Sequence, residues 1–200
     1  MKEEPPGRVG EECWEEFRAR VAGGGVEKYL RGECVSVGCG RWRVTLDANV
    51  VTAGGAGVAV TRVRAPFVSL DGFRFKLNRR GVLDRLGRLC GIHTSETGES
   101  DFDRDFHIET NDEPKLRALF ADADIRRLVS SQREMNLEVR GGDGPLGARL
   151  PEGVCELCFR APGFVSDPER LARLFALFAL TLERLRALAS ARECGPEVTL

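Results

Sequence analysis

The chain has 200 residues, with 30 Lys and Arg against 31 Asp and Glu, so its formal net charge is −1. That balance excludes a composition-level case for a nucleic-acid or other polyanion partner, and 42% hydrophobic with 30% charged residues excludes disordered and fibrous classes. One compact unit with a sizeable core is expected at this length.

Residues 1–8 read as a tail, residues 9–193 as one α+β domain, and residues 194–200 as a second tail. The N-terminus, MKEEPPGRVGEE, lacks the basic start and apolar run of a secretory signal. A cytoplasmic location is therefore expected, and with it reduced thiols. The seven cysteines are odd in number and irregular in spacing, which fits buried apolar residues better than a disulfide framework. The longest uncharged apolar run, Leu174 to Leu182, falls short of the ~20 residues of a membrane span.

From Val9 to Ala22, Cys13, Phe17 and Val21 recur at steps of four with Trp14 beside them, which predicts a helix that the glycines at 23–25 stop. Alternation then predicts strands. Val35 and Val37 flank Ser36, and Trp42, Val44 and Leu46 alternate with Arg43, Thr45 and Asp47. Val50-Val51 and the segment 57–64 flank AGGAG as a hairpin. The stretch 61–78 organises this half. Phe73, Phe75 and Leu77 share one side, with Arg74, Lys76 and Asn78 on the other, and Asp71-Gly72 supplies a turn between two paired strands.

A weak helical pattern follows over residues 79–91, then the polar loop HTSETGESD at 93–101, which divides a mainly β lobe (9–92) from an α+β lobe (101–190). Phe102, Arg104, Phe106 and Ile108 alternate with acidic residues as a strand. Asn111 or Asp112 caps a helix carrying Leu116, Leu119 and Phe120, and Asp122 or Asp124 caps a second carrying Ile125, Leu128 and Val129. Met135, Leu137 and Val139 mark another strand, a glycine-rich loop spans 141–147, and residues 154–160 form a further strand. Ser166-Asp167-Pro168-Glu169 has capping-box form with Ser166 as the cap. The long amphipathic helix behind it buries Leu171, Leu174, Phe175, Phe178, Leu182 and Leu185. A homodimer through this 167–189 helix is the alternative use of so wide an apolar surface. The fold class is thus α+β: an antiparallel sheet lobe behind an N-terminal helix, then strands and packing helices.

No catalytic or cofactor signature is present, and no cofactor is expected. Cys155-x-x-Cys158 lies in a strand pattern that sends its thiols to opposite faces, against metal or redox use. Asp101-x-Asp103-x-Asp105 has Phe106 where a calcium loop needs glycine. Basic residues concentrate between Arg41 and Cys90, acidic ones between Glu96 and Glu113. Two functions follow. The favoured one is a non-enzymatic binding module presenting Arg62, Arg64, Arg74 and Lys76 on a strand face to an anionic ligand or protein partner. The alternative is a metal-dependent hydrolase or transferase using Asp103, Asp105 and His107.

TRVRAPF at 61–67, DGFRFKL at 71–77, FDRDFHIETND at 102–112, IRRLV at 125–129 and LPEGVCELCF at 150–159 together resemble a family of bacterial cytoplasmic proteins to which no function is assigned. The resemblance spans most of the chain. It implies a shared α+β fold and a bacterial source, carries no catalytic residue with it, and marks His107, Cys155 and Cys158 as local departures.

Overall fold

The computed structural model describes residues 25–29, 32–53, 56–80, 94–141 and 150–194. The helix expected over 9–22, the helical pattern over 79–91 from residue 81 on, most of the glycine-rich loop at 141–147 and the tails at 1–8 and 195–200 lie outside them.

The strands are β1 (Gly25–Tyr29), β2 (Gly32–Cys39), β3 (Trp42–Ala53), β4 (Ala56–Ser69), β5 (Phe75–Arg79), β6 (Phe106–Thr110), β7 (Asn136–Gly141), β8 (Val154–Pro162) and β9 (Ala191–Glu193). The helices are α1 (Ser100–Asp105), α2 (Glu113–Phe120), α3 (Ala123–Ser130) and α4 (Pro168–Ala187). The α+β class and the long C-terminal helix are as the sequence pattern indicates. All nine strands join one sheet in the order β1-β2-β3-β4-β8-β7-β5-β6, with β9 on β4. Every ladder between them is antiparallel. The first four strands form a meander. β3 meets β4 only from the Thr45↔Arg64 pair onward, which leaves the far end of β4 free to pair Phe67 with Glu193 of β9.

The stretch 61–78 is extended on both sides of its turn, but its two strands are not a hairpin. β8 and β7 lie between β4 and β5. The turn itself forms for the expected reason: Asp71 accepts a hydrogen bond from the Phe73 N–H at 2.9 Å, and Gly72 takes φ +73°, which costs glycine nothing. Instead of folding β5 back on β4, the turn is pulled across the sheet end. Asp71 also accepts from Ser190 Oγ at 2.7 Å, just beyond α4, and from Lys115 of α2. Desolvation opposes ionisation there, but Lys115, the Phe73 N–H and Ser190 hold the Asp71 carboxyl below its ordinary range.

Helix starts follow their caps. Asp112 accepts from Lys115 N at 3.0 Å with Pro114 in the first turn of α2, and Asp122 accepts from Asp124 N at 2.9 Å to start α3. The cap of α4 is Asp167, accepting from Glu169 N at 3.0 Å, and not Ser166. Pro168 is the first helical residue, so the residue immediately before it is the one placed to cap.

Phe102 to Asp105 is the other correction: it belongs to α1, and the strand begins only at Phe106. Phe102 and Phe106 stand four apart, a spacing that keeps two rings together on a helical turn as well as on one strand face. Their centroids are 4.5 Å apart, and Phe102 also meets Phe120 at 5.2 Å. One face of the sheet, carrying Val44, Leu46, Val63, Phe67, Phe75 and Leu77, forms the core together with the buried sides of α2, α3 and α4. Each such fully buried side chain contributes roughly 1.5–3 kcal/mol. α4 spends its wide apolar surface there: Leu177 is buried with the predicted stripe, and Leu180 is its one large apolar side chain classed as exposed, at 38%.

Candidate functional site

The other face of the sheet is polar, and the ladder registers arrange it in lateral rows. One row runs Thr45–Arg64–Cys158–Glu138–Lys76–Glu109 across β3, β4, β8, β7, β5 and β6. The adjacent row runs Asp47–Arg62–Arg160–Asn136–Asn78–His107 across the same strands. Parity places Arg43, Glu156 and Arg140 beyond the first row. The described helices pack on the opposite, apolar face.

Ion pairs between neighbouring strands lock much of this surface. Asp47 accepts from Arg62 at 2.9 and 3.2 Å and from Arg64 at 2.8 and 3.2 Å. Arg160 donates to Glu138 at 2.7 Å, while Arg140 engages Glu156 and lies 3.9 Å from Glu138. Arg64, Asp47 and Glu156 are buried although they sit on the polar side. Buried charges persist only when paired and hydrogen-bonded, and these are. Cys158 is enclosed among them. Burial, with Glu156 beside it, pushes its thiol up to about 11 against the opposing pull of Arg160 and Arg140. In the second row Asn136 donates to Asn78 at 2.9 Å, and its own carbonyl oxygen is buried with no donor.

Of the four basic residues singled out in the sequence, Arg62, Arg64 and Lys76 share this face. Arg64 is closed in with Asp47, whereas Lys76 is exposed, between Glu138 and Glu109 in register. Arg74 goes elsewhere. Its guanidinium lies against the Gly141 backbone where a β-carbon would project, and Gly141 has the parity of Leu137 and Val139, the apolar side. Arg43 is exposed on the polar face and was not singled out, although its alternation with Trp42 and Val44 is a signal for it. Asp47, Glu138 and Glu156 are the other residues that sequence reasoning left out. Their strand parity marks them, but only the register says which arginine each meets.

The acidic residues of the rival reading are dispersed. Asp103 accepts from the Thr97 N–H at 2.9 Å, the Thr97 hydroxyl at 2.7 Å and the Gly98 N–H at 3.1 Å, holding the loop before α1. Asp105 lies 3.7 Å from Arg104, and His107 on β6 lies 3.2 Å from Glu109. Among the described residues no group of three or more His, Cys, Asp and Glu is placed to hold a metal ion. Nor does any described helix have the length and apolarity to cross a membrane.

Fold and face together define a helix-backed antiparallel sheet with a charged, laterally ordered open side. No family model, curated protein or solved structure matches the chain.

Proposed function

We propose that this protein is a non-enzymatic binding module of the cytoplasm whose polar sheet face takes an acidic segment of a protein partner. One observation carries the reading: Arg62 and Arg64 of β4 and Lys76 of β5 project from one side of the sheet in two adjacent rows, and Arg160, encoded far later in the chain, joins them there. Asp47 and Glu138 hold the Arg62 and Arg160 guanidinium groups in place, so little side-chain entropy is lost when a carboxylate arrives, while buried Arg64 anchors Asp47 from below. Exposed Lys76 and Arg43 supply the charge that steers the encounter.

The test uses octaglutamate as the acidic probe and isothermal titration at low salt. Arg43→Glu with Lys76→Glu, both at exposed positions, is expected to weaken binding at least tenfold while leaving the melting temperature in place. Equal affinity in wild type and variant, or no binding by the wild type, rejects the proposal.

A further inference from the structure

Arg79, Arg133 and Arg170 have no carboxylate within ion-pair distance among the described residues; Arg79 and Arg170 both bond Gln132, which Arg133 follows in the chain, at the junction of β5, α3 and α4. Gln132 is fully buried. Its side-chain oxygen accepts from Arg170 Nε at 3.1 Å, and its backbone carbonyl accepts from Arg79 Nε at 3.1 Å. Arg79 also donates to the Ser130 carbonyl at 2.6 Å, at the end of α3. Arg133 follows Gln132 in the chain and is exposed. These acceptors are all neutral, so the clustered positive charge is not compensated by them. Arg173, on the next turn of α4 from Arg170, completes the group: it lies 3.7 Å from Asp167 and 3.5 Å from Glu169, and its Nε–H is buried without an acceptor. Asp167 already caps the helix end, so its first-turn amides are not the attraction. Desolvation, then Arg133 and Arg173, lower the Arg170 guanidinium from its ordinary value, with Asp167 opposing.

We infer that this junction is a phosphoryl-binding site, in which Arg133 and Arg170 close on the anion and Arg79 fixes Gln132 beneath them. Guanidinium forks match the oxygens of a tetrahedral dianion in pairs, and the dianion relieves the repulsion among them. Arg79 has the parity of Phe75 and Leu77, so the site opens on the helix side of the sheet, away from the polar rows. It is independent of the reading given for that face.

The whole chain is to be titrated with inorganic phosphate against sodium chloride of matched ionic strength, following the melting temperature. A saturable rise with phosphate is expected, shifted at least tenfold to higher phosphate in Arg133→Gln/Arg170→Gln. That variant takes the Arg170 donor from buried Gln132 and so starts from a lower melting temperature without phosphate, and the comparison is therefore of the phosphate midpoint and the size of the rise. Arg192→Gln, at an exposed position of β9 outside both sites, should leave the phosphate response intact. Sedimentation with phosphatidic acid vesicles, whose headgroup is a phosphomonoester, lost in the double variant, places the phosphoryl group on a lipid. A phosphate response without sedimentation places it on a soluble ligand. A response to phosphate no greater than to chloride, or one the double variant retains in full, overturns the site.

Discussion

Ala189 is the one non-glycine residue among those described with positive φ, at 57°. It ends α4 in the left-handed turn that returns the Ser190 N–H to the Leu185 carbonyl at 2.9 Å and its own N–H to Arg186 at 3.0 Å. A side chain there costs about 1–2 kcal/mol, and glycine recovers part of it after its larger unfolded-state entropy. Ala189→Gly is therefore expected to stabilise the protein by about 0.5–1 kcal/mol. Calorimetry checks it through a melting rise of about 2–4 °C per kcal/mol, and a lower melting temperature would contradict it. Cys158 offers a pH signature at the same scale. Its folded-state value of about 11 lies above the ordinary 9.0, so the thiol is favoured by folding. Its contribution is complete below pH 9 and is lost as pH rises through the folded-state value, a total of about 3 kcal/mol. Urea denaturation of wild type and Cys158→Ala should give curves of stability against pH that converge between pH 9 and 11. Parallel curves would show that the thiol is not held protonated.

At the scale of elements, the ladder between β3 and β4 carries its own electrostatic lock. Removing Arg64 leaves buried Asp47 with Arg62 alone, a loss of about 1–3 kcal/mol. Arg64→Met with Asp47→Leu together should cost much less than Asp47→Leu alone, which leaves Arg64 buried without its carboxylate. A double-mutant cycle from chemical denaturation checks this, and additive losses would mean the two side chains act separately. What the sequence made legible is local. Caps at Asp112 and Asp122 and the alternation in β3, β5, β7 and β8 depend on neighbours a few residues away. Alternation predicts strand where α1 forms because Phe102 and Phe106, four apart, satisfy an even spacing and a helical turn equally. The short Gly25–Tyr29 strand has too little alternation in GVEKY to show itself.

For the molecule as a whole, β8 is the strand that the sequence could not place. It enters between β4 and β7, and in doing so it brings Arg160 beside Arg62 and Cys158 beside Arg64. Turn chemistry at Asp71-Gly72 argued for pairing β4 with β5, and it is overridden because the gain from burying both sides of β8 is a long-range term. For the same reason, parity groups Arg62 with Arg64 and Arg74 with Lys76 but fails at Arg74, and the lateral alignment of Arg62, Arg64 and Lys76 runs through β7 and β8, encoded later in the chain. The opposed charge blocks of the chain meet in part through this topology, with Lys76 of β5 paired in register with Glu109 of β6.

The most direct measurement is a side-chain NMR titration of the 15N-labelled protein with octaglutamate. Binding to the ordered rows predicts shifts of the Arg62 and Arg160 Nε–H signals and the Asn78 and Asn136 amides, with those of Arg79 and Arg170 unmoved. Shifts confined to Arg79 and Arg170, or none at all, would contradict it.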